Sequence, residues 1–302
     1  MIQYLKHNEI DKNQWDNCIA QSVNGNGYAW SWYLDVVSPG WEALVEVNDD
    51  KYFIVMPLTR KRKYFINYLC QPYFVQQLGV FSSEVLRTET VSAFLKAIPK
   101  KYRLIEIRLN EGNRFPAASN GVDYHRNQLL NLNDSYDVIS SNYHENTFRN
   151  LKKSFKNDLR LVKDVPMEDV IALFRSDRGA TVTHWGDAEY DRLLRLARVA
   201  QSSSNAFIYG IQQSDKQNII CGAFFLFSHN RLTFLFSGNS RLGRETQAMT
   251  LLIDGVIREF AGRSVVLDFE GSDDENLSRY YAGFGSSSVR YPEFRVPLFK
   301  RR

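Results

Sequence analysis

The chain has 302 residues, 44% hydrophobic and 24% charged, an ordinary balance for a folded protein of one or two domains. Its net charge of +4 is too small to mark a nucleic-acid or membrane binder by itself, and no apolar run reaches spanning length. Cys18, Cys70 and Cys221 are isolated, without CxxC or Cys/His spacing, and the first residues lack an apolar signal stretch; a reduced, cytoplasmic protein without a metal site is expected.

In chain order, 11–21 and 30–37 read as short helices around the flexible SVNGNG. Residues 41–47 and 52–58 alternate as strands, with NDD as the hairpin turn. The basic run TRKRK at 59–63 is expected in a solvated loop. Pro72 and Gly79 interrupt 64–80, a helix is expected over 83–98, and 102–109 (YRLIEIRL) alternates cleanly as a strand. A further strand at 123–132 leads to a junction at 133–141, which divides the chain into halves at 1–135 and 136–302.

The second half opens on a basic amphipathic helix, HENTFRNLKKSFKNDLR. Phe148, Leu151, Phe155 and Leu159 fall on one face, and Arg149, Lys152, Lys153, Lys156 and Arg160 on the adjoining one. Such a face is either solvated or a contact for an anionic substrate. Helices follow at 170–174 and 187–200. Segments 206–211, 219–227 and 231–237 form an antiparallel meander. A turn-rich basic loop (238–245), an amphipathic helix (246–260), a strand (265–269) and a helix (273–284) complete a strand–helix–strand crossover, whose strand ends are where ligands sit. The last strand, 289–298, holds Pro292 and Pro297 and is expected at an edge or bulge. A hairpin–helix–strand order recurs in the two halves. The fold class is therefore α+β, each half a mixed, mainly antiparallel sheet flanked by helices, the C-terminal half more complete.

Two carboxylates end the crossover strand. Asp268 and Glu270 alternate with Phe269 and are expected on one strand face, where either could orient a substrate, accept its proton or pair with an arginine. His184 and Trp185, in TVTHWGD, form a polar aromatic loop suited to shaping substrate specificity. No Ser/His/Asp or Cys/His arrangement is visible, and Cys221 reads as core.

Three passages carry a resemblance: FRNLKKSFKNDLRLV at 148–162, NSRLGRETQAMTLLIDGVI at 239–257 and VLDFEGSDDENLSRYYAGFGS at 266–286. Together with the element order, they are similar to the GNAT acyltransferase superfamily, in its FemAB-like and BioF2-like branch. The resemblance implies N-acyl transfer by direct attack, from acyl-CoA or aminoacyl-tRNA to an amine on a sugar nucleotide or cell-envelope precursor. It implies a general-acid role for Tyr281, which heads the Tyr-x-x-x-Gly pattern, with Tyr280 second and facing another side. It places donor phosphates on Arg241, Gly243, Arg244 and Gln247, and the anionic part of a substrate on Arg149, Lys152 and Lys153. The pattern departs at Arg241-Leu-Gly-Arg-Glu-Thr-Gln-Ala, where the glycine spacing of a CoA pyrophosphate loop is absent. A different class of function, a non-catalytic anion- or RNA-binding module on the same scaffold, is distinguished by salt-sensitive binding without transfer.

Overall fold

A computed structural model describes residues 1–115, 122–182, 185–214, 216–271 and 273–298. The chain runs β1 (Ile2–Leu5), α1 (Lys12–Gln21), α2 (Ser31–Val37), β2 (Glu42–Asn48), β3 (Lys51–Leu58), β4 (Arg60–Lys63), β5 (Ile66–Cys70), β6 (Phe81–Ser82), α3 (Thr88–Ala97) and β7 (Tyr102–Arg108). Then come β8 (Val122–Asn131), α4 (Tyr136–Ser141), α5 (Glu145–Phe155), β9 (Leu159–Lys163), α6 (Met167–Ser176) and α7 (Asp187–Ser202). The meander β10 (Ala206–Gln213), β11 (Ile219–Ser228) and β12 (Arg231–Asn239) follows. It leads to α8 (Arg241–Glu245), α9 (Ala248–Phe260), β13 (Val266–Asp268), α10 (Glu275–Ala282) and β14 (Ser287–Val296). The protein is α+β, with mainly antiparallel sheets.

Two compact units divide within β8: residues 1–126 joined by the chain end from Val289, and Asn127–Ser288. The division thus falls elsewhere than the 135/136 boundary read from the sequence. The reason is that β14 pairs with β7, Glu293 opposite Arg108 through Val296 opposite Ile105, and a strand's partner is not legible from its place in the chain.

In the first unit, β1-β2-β3-β6 form an antiparallel sheet, and β5 and β7 run parallel with α3 in the crossover between them. The Asp11 side chain caps α1 by accepting from the Asn13 and Gln14 amides, and the helix buries Trp15 and Ile19 on its inner face. Asp49 and Asp50 turn the β2–β3 hairpin with φ of 47° and 57°, a conformation that short polar side chains tolerate. The TRKRK run, expected as loop, is mostly the strand β4, hydrogen-bonded to β5 around a Tyr64-Phe65 turn. A strand charged at every position, with no Gly or Asn in its turn, shows neither alternation nor a hairpin signature.

This unit buries carboxylates with their partners. Glu293 meets His125 Nε2 at 2.5 Å and Arg295 at 2.6 Å. Burial pushes its carboxyl up, but the His125 hydrogen bond and the Arg295 charge outweigh that, so its pKa lies below the ordinary 4.5. A depressed carboxylate stabilises the fold above its unfolded pKa, and that contribution is lost as pH falls through the folded value. Glu293→Gln is therefore expected to lower stability at pH 7 and to flatten the loss of stability below about pH 4.5. Thermal melts of both proteins from neutral pH downward check this; parallel curves would assign the acid sensitivity elsewhere.

In the second unit the strand order is β8-β13-β12-β11-β10-β9, antiparallel except for the parallel β12–β13 pair. One face packs against α9, whose Leu252, Ile253, Val256, Ile257 and Phe260 join Tyr209, Phe225 and Leu267 in a continuous core. Each such side chain contributes about 1.5–3 kcal/mol on burial. The other face carries a row of glycines in register, Gly210 opposite Gly222 and Gly222 opposite Gly238. Their missing side chains let α6 approach the sheet: a Cβ on Gly238 would lie 2.2 Å from the Val170 carbonyl oxygen.

Helix α5 departs from its expected face. Thr147, Leu151 and Ser154, at helical spacing, are the buried stripe, while Phe148 and Phe155 are 40% and 63% exposed. The Thr147 hydroxyl donates to the Gly283 carbonyl at 2.9 Å. Aromatic periodicity chose the wrong stripe because two small hydroxyl residues can pack closely while their Oγ atoms satisfy nearby carbonyls.

Candidate active site

A cleft of about 430 Å³ opens in the second unit where β12 and β13 part. Their parallel pairing covers only Arg231–Thr233 against Val266–Asp268. Beyond it, Phe234–Ser237 of β12 and Phe269–Gly271, which follow β13, line the opening. Phe174, Asp177 and Arg178 come from α6 and the turn after it, Arg244 and Met249 from α8 and α9, and Leu277, Tyr280 and Tyr281 from α10.

A β-bulge sits at the mouth of this split. Phe225 pairs with Phe234 and Phe224 with Phe236, so Leu235 is an extra residue without a partner on β11. The bulge shifts the side-chain phase. Phe234 joins the core on the α9 face and meets Tyr281 edge-on at 6.2 Å. Phe236 instead meets Phe174 at a tilt, 4.8 Å between ring centres, and stacks on Trp185 at 6.2 Å. Leu235, unpaired on one side and past the end of β13 on the other, is among the residues that line the cleft. No sequence signal marked it, since the run Leu-Thr-Phe-Leu-Phe reads as an uninterrupted strand.

Tyr281 lies in the cleft wall, its ring stacked on Phe269 at 4.6 Å. Its hydroxyl makes no hydrogen bond to the described residues. Burial, then the neighbouring Tyr280 and the Glu270 charge, push its pKa upward, so it stays protonated through the ordinary pH range. Tyr280, expected on another side, lines the same cleft, and its hydroxyl is 3.2 Å from the Thr250 hydroxyl.

Asp268 and Glu270 do not share a face. The strand ends at Asp268, and Glu270 adopts a left-handed φ of 54°, which cancels the alternation. Glu270 lines the cleft. Asp268 is 1% exposed and does not: its Oδ1 accepts from Asn127 Nδ2 at 3.0 Å and from the Glu270 amide at 2.8 Å, and its Oδ2 from Arg231 at 2.9 Å. That is a structural carboxylate. Asp268→Asn is expected to lower stability by on the order of 3 kcal/mol by removing the charge facing Arg231. The readout is a lower urea midpoint with the folded protein's kcat retained. An equally stable variant with reduced kcat would return Asp268 to the chemistry.

The expected donor residues separate. Segment 241–245 is not a loop but the helical turn α8, capped by Ser240. The amides of Gly243, Arg244, Thr246 and Gln247 bond to Ser240 Oγ, Ser240 O, Leu242 O and Arg244 O. These four amides are therefore already bonded within the chain. Gly243 is buried, and a Cβ there would lie 2.5 Å from the Ile220 carbonyl oxygen, so its smallness serves packing. Arg241 is exposed and paired with Glu245 at 2.8 Å. Gln247 starts α9 at φ 61° and turns its side chain to the Arg244 carbonyl. Arg244 alone of the four lines the cleft, paired there with Asp177.

Trp185 is in the cleft wall, whereas His184 lies outside the described residues. Arg149, Lys152 and Lys153 are exposed on α5 and are not among the cleft residues. Among the described residues no helix is long and apolar enough to cross a membrane, and no group of three or more His, Cys, Asp or Glu could hold a metal.

No protein-family model matches the sequence, and no curated protein matches it significantly. Solved structures do match the fold. FemX is 11% identical, with 96% of each chain covered and a TM-score of 0.66. The L-PGS of Bacillus licheniformis is 8% identical, with 96% of this chain and 92% of that one covered and a TM-score of 0.55. A tandem GNAT protein from the clavulanic acid biosynthesis pathway is 12% identical, with 99% of each chain covered and a TM-score of 0.53. Over nearly its whole length this chain has a GNAT/FemAB-like fold.

Proposed function

We propose that the protein is an N-acyltransferase, moving an acyl or aminoacyl group from a large anionic donor to an amine. One observation supports this reading: a bulged strand residue, Leu235, a tyrosine, Tyr281, and a carboxylate, Glu270, line one cleft between the parted strands. Acyl transfer needs those three groups and little more.

The amine nitrogen attacks the acyl carbon and forms the C–N bond. The Leu235 N–H donates to the oxygen as it becomes negative. Collapse of the tetrahedral intermediate breaks the bond from carbon to the carrier's sulfur or oxygen. Tyr281 gives its proton to that leaving atom, and the Glu270 carboxylate takes the proton released by the amine, directly or through a water. The aromatic walls, Phe174, Trp185 and Phe236, exclude bulk water and so strengthen each of these interactions. Arg178 and Arg244 at the cleft are the cations that meet the donor's carrier.

The donors in view are acyl-CoA and aminoacyl-tRNA; among neighbours of similar fold, one is named a tandem GNAT protein and another the C-terminal domain of a putative lysylphosphatidylglycerol synthetase from Agrobacterium fabrum. The test is a transfer assay by mass spectrometry, pairing acyl-CoAs and charged tRNAs with amine acceptors, sugar nucleotides and envelope precursors included. Melting-temperature shifts with each donor run in parallel. Amine-dependent consumption of one donor class is the expected result. Donor binding with salt sensitivity but no transfer across the panel would replace this reading with that of a non-catalytic anion- or RNA-binding module.

A further inference from the structure

The β4–β5 hairpin of the first unit has a tip that folding does not require. Tyr64 and Phe65 make its two-residue turn, with φ of 47° and 64°, and are 82% and 89% exposed. A two-residue turn with both φ positive favours Asn-Gly, and bulky side chains are sterically disfavoured there. Two aromatic rings thus occupy the positions of this hairpin where they are least suited and least buried.

The strand leading to the tip is Arg60-Lys61-Arg62-Lys63, all exposed, and the whole segment TRKRKYFINYLC contains no acidic residue. Arg60 is engaged at the base, donating to the Gly40 carbonyl at 2.8 Å and facing Glu42 at 3.4 Å. Lys61 is exposed on the same strand, its Nζ 5.6 Å from the Tyr73 ring centre, and the other two cations flank the tip. Lys63 Nζ lies 5.3 Å from the Tyr64 ring centre and Arg62 Cζ 5.5 Å from that of Phe65. Charge on an edge strand has an ordinary use, since it blocks pairing with other chains. That accounts for the cations but not for the rings.

We propose that this hairpin docks the protein on an anionic lipid bilayer. Tyr64 and Phe65 enter the boundary between headgroups and acyl chains, and Lys61, Arg62 and Lys63 meet the lipid phosphates. Aromatic side chains favour that boundary, and a small apolar insertion combined with a basic cluster binds where neither suffices alone. The geometry favours a bilayer over RNA. Base stacking uses rings laid open on a groove or sheet face. These rings sit at an exposed hairpin turn, each beside a cation of β4.

The test uses the full chain in sedimentation with vesicles of pure phosphatidylcholine and of phosphatidylcholine with roughly 30% phosphatidylglycerol. Binding to the anionic vesicles alone is expected. Tyr64→Asn/Phe65→Gly, which installs the favoured turn and so keeps the hairpin folded, is expected to weaken binding on the order of tenfold. Lys61→Gln/Arg62→Gln/Lys63→Gln is expected to weaken it on the order of a hundredfold. In a Phe65→Trp variant the indole emission shifts to the blue on anionic vesicles. No sedimentation of the wild type, undiminished binding by the Asn-Gly variant, or an unshifted indole emission in the Phe65→Trp variant would each overturn the proposal. So would tRNA binding lost with these substitutions in the absence of any vesicle binding.

Discussion

Tyr281→Phe is expected to lower kcat by on the order of a hundredfold, with KM and melting temperature little changed. The variant removes one oxygen and no hydrogen bond to the described residues, while the stacking on Phe269 and the edge contact with Phe234 remain. Stability therefore has no reason to fall. An interaction made only as the leaving group departs appears in kcat and not in ground-state binding.

The size of the effect also reports the donor. A thiolate is a better leaving group than an alkoxide and needs a proton less, so the loss is larger with an aminoacyl ester than with a thioester. Because burial raises the Tyr281 pKa, its own titration does not limit the rate on the alkaline side of neutrality. Steady-state kinetics with each donor against pH checks both points. Unchanged kcat with every donor would remove Tyr281 from proton transfer and reduce it to a ring in the cleft wall.

What the sequence made legible follows from the range of the forces involved. Helix α1 lies within the segment read as a short helix, the β2–β3 hairpin is announced by alternation around Asn-Asp-Asp, and α9 by an apolar stripe; each is a local signal. Within the cleft, Tyr281, Glu270, Trp185 and Arg244 were all named from their neighbourhoods in the chain. The misreadings come from places where one backbone dihedral or one distant partner decides. A left-handed Glu270 separates it from Asp268, whose partners Asn127 and Arg231 are far away in sequence. The Leu235 bulge exists only relative to β11. Ser240 caps helix α8 in what reads as a basic loop and accepts from the Gly243 and Arg244 amides.

Gly238→Ala is expected to cost about 3 kcal/mol and to lower the melting temperature by roughly 6–12 °C. The added Cβ would lie 2.2 Å from the Val170 carbonyl oxygen and 2.8 Å from both the Leu173 Cβ and the Phe174 amide nitrogen. Two of those three atoms are α6 backbone, so no side chain can swing aside and the helix itself must lift. Ala gains about 0.4–1 kcal/mol over Gly through a less flexible unfolded chain, which is too little to offset the clash. The helix that lifts carries Phe174 in the cleft wall, and Asp177, which follows it, pairs with Arg244. Activity is therefore expected to fall along with stability, as a lower kcat/KM measured well below the melting temperature. Gly262→Ala separates crowding from backbone strain. Gly262 has a φ of 76° but nothing within 4 Å of its added Cβ. Only the left-handed conformation then opposes Ala, at about 1–2 kcal/mol, and activity is expected to be retained. A Gly238→Ala protein no less stable than Gly262→Ala, with kcat/KM intact, would mean that α6 is not held against the sheet by the glycine row and does not set the cleft wall.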